Sequence, residues 1–255
     1  TQGRSIWMLD DLTVIHQLSS SVDEEKLYKP KDSYRMRGSG GRKSLTAGTN
    51  LPNGVIIHYF LPSFDNESDE VKLSIHSKDG SLIKEFSNKS KENLMKVEKG
   101  GNSFVWNMKY PGAKRLDKMV LWGADFSGAK AVPGDYIVKL KVNEKELTQD
   151  FTIHKDPTSE GSIEDIKAQF EFVNEINGVV ADAHNAIENI RKIKNDLNKF
   201  QSDYADNESA KNLINESKLI FESIDIIENE LYQTKNQSNQ DPVSYTHLRA
   251  HETRG

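Results

Sequence analysis

Apolar and polar residues alternate through much of the stretch from Leu51 to Asp156, and that alternation predicts strands. "VIIHYFL" sets Val55, Ile57, Tyr59 and Leu61 on one face and Ile56, His58 and Phe60 on the other. "VKLSIHS" repeats the rule with Val71, Leu73 and Ile75, and "KDGS" supplies a hairpin turn into "LIKEFS". Phe104, Trp106 and Met108 share a face in "SFVWNMKYP". So do Tyr136, Val138, Leu140 and Val142 in "PGDYIVKLKV", with Lys139 and Lys141 outward. "LTQDFTIH" adds Leu147, Phe151 and Ile153. At Ser162 the period changes. Ile163, Ile166, Phe170, Val173, Ile176, Val180, Ala183, Ile187, Ile190, Leu197 and Phe200 recur at threes and fours, the mark of one long helix. Ser162 with Asp165 forms a capping box in which Asp stands for the usual Glu. "SDYADNES" interrupts the pattern, and Leu213, Ile214, Ile220, Ile224, Ile227 and Leu231 form a second stripe.

The expected architecture is therefore mixed, an all-β part followed by an all-α part. Short strands between Pro, Gly and Asn turns over residues 51–156 predict an immunoglobulin- or fibronectin-like β-sandwich, without the Cys pair of antibody domains. Residues 157–240 are expected to form a long antiparallel helical hairpin. Its apolar stripe is wide enough to call for a third helix or another domain. Upstream, "GRSIWMLDDLTVI" reads as a single strand followed by a polar turn at Asp10 and Asp11, spanning residues 1–18. A lone strand needs partners. Residues 19–50, with "SSSVDEE" and "RMRGSGGRKSLTAGTN", read as a linker.

The last thirteen residues, "VSYTHLRAHETRG", have no period and no cap. Written back as codons they resemble a transposase adapter used in DNA sequencing. Residues 243–255 are set aside as an adapter artefact within an expected disordered tail, 241–255. The chain also opens in mid-element, so a fragment of a longer protein is expected.

Charge and composition narrow the function classes. The net charge is −5, and −6 without Arg249, Glu252 and Arg254 of the tail, which disfavours nucleic acid as a partner. There is no Cys, hence no disulfide and no thiolate chemistry. No apolar run is long enough to suggest a membrane span.

Candidate chemistry is sparse. "RGSGGRKS" (Arg37 to Ser44) is not a phosphate loop, because Arg42 stands where Gly must precede the Lys. His16, His58, His76, His154 and His184 show no metal-ligand spacing, and His58 and His76 read as sheet-surface residues. The acidic loop from Asp65 to Glu70 lacks the Gly and distal Glu of a calcium loop and reads as a solvated hairpin. Asp10 and Asp11 read as turn residues, and no pair of convergent carboxylates is expected on the sandwich. Trp106 reads as core. Trp122 and Tyr110 remain as a possible ligand platform for sugar stacking. No catalytic residue, cofactor or metal is expected in this chain.

"TQGRSIWMLDDLTVI" resembles the closing strand of the sortilin-like, bacterial-neuraminidase-repeat β-propellers, large proteins often labelled glycosyl hydrolases. The likeness continues through "LYKPKDSYRM", "PNGVIIHYFL", "GGNSFVWNMKYPGA", "AVPGDYIVKLKVN", "QDFTIHKDP" and "AQFEFVNEI", and ends at "NQDP". The resemblance implies that Gly3, Arg4, Trp7 and Asp10 are structural motif positions of a last propeller strand. It implies that the propeller lies upstream and that the protein is secreted, periplasmic or at the cell surface. The chain would then be a non-catalytic accessory region that supports its own upstream propeller or docks a protein or glycan partner. The alternatives are that it shapes the cleft of a glycoside hydrolase or peptidase-like parent, or that it is a carbohydrate-binding sandwich.

Overall fold

The computed structural model describes residues 11–18, 23–37, 51–117, 119 and 125–232. It is a mixed α/β structure of eight strands and three helices among those residues. The chain divides into two compact units. One comprises residues 1–111 and 129–172, the other residues 112–128 and 173–255.

The first unit is built on two sheets. Strands β1 (Lys26–Leu27), β3 (Val55–Leu61) and β6 (Gly100–Trp106) form one, in the order β1-β3-β6. The other contains β2 (Ser33–Arg35), β4 (Val71–Ser77), β5 (Leu82–Ser87), β7 (Gly134–Val142) and β8 (Lys145–Lys155), in the order β2-β8-β7-β4-β5. Side chains alternate across a strand, so β3 buries Val55, Ile57, Tyr59 and Leu61, and β4 buries Val71, Leu73 and Ile75. Inward residues of both sheets belong to one core. At its centre Trp106 meets Tyr136 and Phe151 with ring centroids 5.9 and 6.2 Å away, both close to edge-on. Trp106 is thus core, as its alternation indicates. Burial pushes the Tyr59 hydroxyl up to about 12. Gly54, at φ +151°, precedes β3 where an added Cβ would lie 2.4 Å from the Trp106 carbonyl. Only glycine fits there.

Two strands lie where a linker is expected. β1 pairs antiparallel with β3, Leu27 opposite Tyr59, and β2 pairs parallel with β8, Tyr34 opposite His154. Leu27 and Tyr28 are buried. Segments of two and three residues cannot display a period, so their pairing, across 32 to 34 positions for β1 and 120 for β2, is a tertiary event. Arg35 reinforces it, donating from Nε to the Ala131 carbonyl at 3.0 Å and from its guanidinium to Gln169 at 3.1 Å. The short helix α1 (Thr13–Gln17) stands in the polar stretch after Asp10, and Asp11 accepts the Thr13 N–H at 2.9 Å. That is the turn role expected of Asp11. The strand expected before it lies outside the described residues.

The helical part follows its period. α2 (Ile163–Asp203) starts at the capping box. The Ser162 N–H donates to Asp165 at 2.8 Å and the Asp165 N–H donates to Ser162 Oγ at 3.0 Å. A short 3-10 turn (Glu208–Ala210), capped by Asn207, breaks the pattern at the position of "SDYADNES". α3 (Lys211–Leu231) then runs antiparallel to the C-terminal half of α2. Gln201 meets Ser217 at 3.0 Å near the turn, and Arg191 and Lys194 meet Glu228 further from it, each at 2.7 Å. In the same unit, buried His184 bonds through Nδ1 to the Lys114 carbonyl, with the Phe126 ring 5.7 Å away. Among the described residues no helix is long and apolar enough to cross a membrane.

Candidate functional site

The outward face of β7 and β8 carries a shallow polar cleft of about 360 Å³. Its geometry starts from register. Asp135 lies directly opposite Thr152 and Ile137 directly opposite Asp150, so these side chains stand side by side on the face away from the core. The floor is half-buried Ile137. One wall is the connection between β1 and β2, which presents Lys29 and Asp32. The other is Lys78 in the turn after β4.

Most of the polar groups are held by the protein itself. Asp32 precedes β2, and its Oδ1 accepts the Thr152 N–H at 3.2 Å. Its Oδ2 lies 3.2 Å from His154 Nε2. Thr152 Oγ1 donates to Asp135 at 3.0 Å, and Lys78 donates to the other oxygen of Asp135 at 2.8 Å. Lys78 is the main cause holding the Asp135 carboxyl below its ordinary 3.8, and Asp135 raises Lys78 in return. Gln17 fixes the approach of Lys29. It accepts the Lys29 N–H at 2.8 Å and donates to the Lys29 carbonyl at 2.9 Å. Two groups in the cleft stand apart: among the described residues the Asp150 carboxylate and the Lys29 ammonium have no hydrogen-bond or ionic partner of their own. An unpaired acceptor and an unpaired donor beside an apolar floor suit a polar, uncharged or zwitterionic molecule.

Asp32 and Asp135 both reach Thr152, so two carboxylates do come near one another where none are expected to. Neighbouring strands at 120 residues' remove produce that meeting, which the sequence spacing cannot show. Asp135 is not placed to serve as a general acid. A general acid requires a carboxyl kept protonated, and Lys78 keeps Asp135 ionised.

The remaining candidates scatter. Tyr110 is half-buried, its ring 4.8 Å from Phe170 and nearly perpendicular to it, packed against the core rather than presented as a platform. Trp122 lies outside the described residues, as do Gly3, Arg4, Trp7, Asp10, residues 38–50 and the tail. His76 bonds to Ser74 and to the Gly80 carbonyl on the sheet surface, and His58 lies 4.0 Å from Asp11. His16 sits in α1. In the acidic loop Asp65 accepts from Glu67 N and Ser68 Oγ, Asp69 accepts from Asp65 N, and Lys89 caps the Asn66 and Glu67 carbonyls. Those oxygens are satisfied by the loop and by Lys89. Among the described residues no three His, Cys, Asp or Glu gather to hold a metal ion. The site residues that sequence reasoning missed are Lys29, Asp32, Lys78, Asp135, Asp150 and Thr152. The only signal available was the outward alternation of Asp135 and of Asp150 with Thr152.

Against models of known protein families and against curated proteins, the chain finds no match.

Proposed function

We propose that this chain is the non-catalytic accessory region of an exported β-propeller protein. In this reading the two sheets are an immunoglobulin-like sandwich, and the residues before Asp11 close the propeller. The supporting observation is the way the segment just after the "GRSIWMLDD" motif enters the β unit. β1 joins one sheet and β2 the other, so a domain attached before Asp11 would be borne by a packed body and not by a free tether. Support of the propeller, or presentation of a docking surface beside it, follows from such a connection. The test is a long sequencing read across the locus, followed by expression of the upstream segment. Propeller blades that bind this chain in trans support the reading. An open reading frame starting near Thr1, or blades with no affinity for it, sinks the reading.

Asp150 and Lys29, without partners among the described residues, favour a second reading, glycan binding by the first unit, with the contact moved from Tyr110 and Trp122 to the β7–β8 face. A glycan array separates the two. Binding lost in both Asp150→Ala and Lys29→Ala supports it, and binding unchanged in both excludes this face.

A further inference from the structure

We propose that Asn53 is a site of spontaneous modification, converting to aspartate and isoaspartate through a cyclic imide closed by the Gly54 nitrogen. A glycine after Asn or Asp leaves its backbone nitrogen open to attack the neighbouring side-chain carbonyl, because no Cβ stands in the way. The sequence offers three such pairs, Asn53–Gly54, Asp79–Gly80 and Asn177–Gly178. The fold leaves the first free to react and holds the other two. The Gly80 N–H is donated to the Ser77 carbonyl at 2.9 Å, and the Asp79 carboxylate accepts from Ser77 Oγ, Ser81 N and Ser81 Oγ. Gly178 lies within α2, where its N–H is committed to the carbonyl one turn back, and Asn177 Nδ2 is buried. Gly54 instead stands just outside the β3–β6 ladder, which begins with Val55 opposite Trp106. Among the described residues its N–H has no acceptor. Asn53 is exposed, and its amide nitrogen is held by one bond, from Nδ2 to the Met36 carbonyl at 3.2 Å.

The reaction needs only water and hydroxide from the solvent. Hydroxide takes the Gly54 amide proton, the nitrogen attacks Asn53 Cγ, and the Cγ–Nδ2 bond breaks as Nδ2 takes a proton from water and leaves as ammonia. Water then opens the imide at either carbonyl, giving aspartate or, with the main chain rerouted through the side chain, isoaspartate. The surroundings suit the charge that develops. Lys130 Nζ donates to the same Met36 carbonyl as Asn53 Nδ2, so an ammonium stands beside the new carboxylate. Burial, with Arg35 and Lys109 nearby, holds Lys130 below its ordinary 10.5, a cost that a new anion relieves. The isoaspartyl form adds a methylene to the main chain directly before Gly54, where an added Cβ already falls 2.4 Å from the Trp106 carbonyl. That form therefore loosens the first pairs of β3.

The test holds the purified chain for several days at mildly alkaline pH and maps its peptides by mass. Asn53 should gain about one dalton, the difference between an amide and an acid, with the isoaspartyl peptide eluting apart from the aspartyl one. It should convert at least about tenfold faster than Asn177, since the helix must open before Gly178 can attack. In denaturing urea the two should convert at like rates. Asn53→Gln, whose longer side chain closes the larger ring poorly, should stay unmodified at that position in both conditions. Asn53 intact in the folded chain would overturn the proposal, as would Asn177 keeping pace with it without denaturant. A preference for Asn53 that persists undiminished in urea would overturn the assignment of the selectivity to the fold.

Discussion

Lys194 donates to Glu228 at 2.7 Å between α2 and α3, and Arg191 holds the other oxygen of the same carboxylate at 2.7 Å. Lys194 also reaches Asp225, so two cations and two acids join the helices. Burial alone would push the Glu228 carboxyl up, but Lys194 and Arg191 outweigh it and hold the group below its ordinary 4.5. Glu228→Gln is expected to destabilise the hairpin by about 2 kcal/mol, because it strips charge from a buried acceptor while Lys194 stays in place. Thermal melts followed at 222 nm would measure the loss; an unchanged midpoint would show that the network contributes nothing.

The same shift sets a pH dependence. A depressed carboxyl contributes stability that is complete above its unfolded value of 4.5 and is lost as pH falls through the lower folded value. The difference in melting between wild type and Glu228→Gln should therefore be full at neutral pH and shrink below pH 4.5. A difference that stays constant to the acid limit would contradict the assignment of the shift to Glu228.

The capping box offers a smaller, local test. Ser162→Ala removes the acceptor of the Asp165 N–H and is expected to cost about 1 kcal/mol. The loss should appear as faster amide exchange in the first turn of α2, with the strands of the β unit unaffected.

Gly54→Ala should be far more damaging than its size suggests. The new Cβ would press on the Trp106 carbonyl, which is backbone and cannot swing aside, at a φ that L residues avoid. About 3 kcal/mol of destabilisation is expected, read from urea unfolding through Trp fluorescence. A change under about 1 kcal/mol would mean that the β3–β6 ladder gives way easily.

The parallel pairing of β2 with β8 predicts protected amides within Ser33–Arg35. Hydrogen exchange would distinguish this from a free connection, whose amides exchange at the intrinsic rate.

What the sequence determined by itself is local. Period two in β3, β4 and β7 sufficed to assign buried and outward residues, since a pleated strand with one face in a core has little choice. Period three-to-four, the Ser162–Asp165 box and the polar break around Asn207 placed the start of α2 and the turn between the helices, because caps and turns are satisfied by neighbours in the chain. Tertiary structure decided the rest. Lys26–Leu27 and Ser33–Arg35 are too short to carry a period and became strands only because β3 and β8 offered unpaired edges. Asp32, Asp135 and Asp150 reached one cleft through strand register and not through spacing. On α3, two overlapping stripes were available, one centred on Ile220 and one on Ser217 and Glu228. The sequence favours the first as the buried seam. The structure turns the second toward α2, because Arg191 and Lys194 there neutralise a carboxylate that could not otherwise be buried.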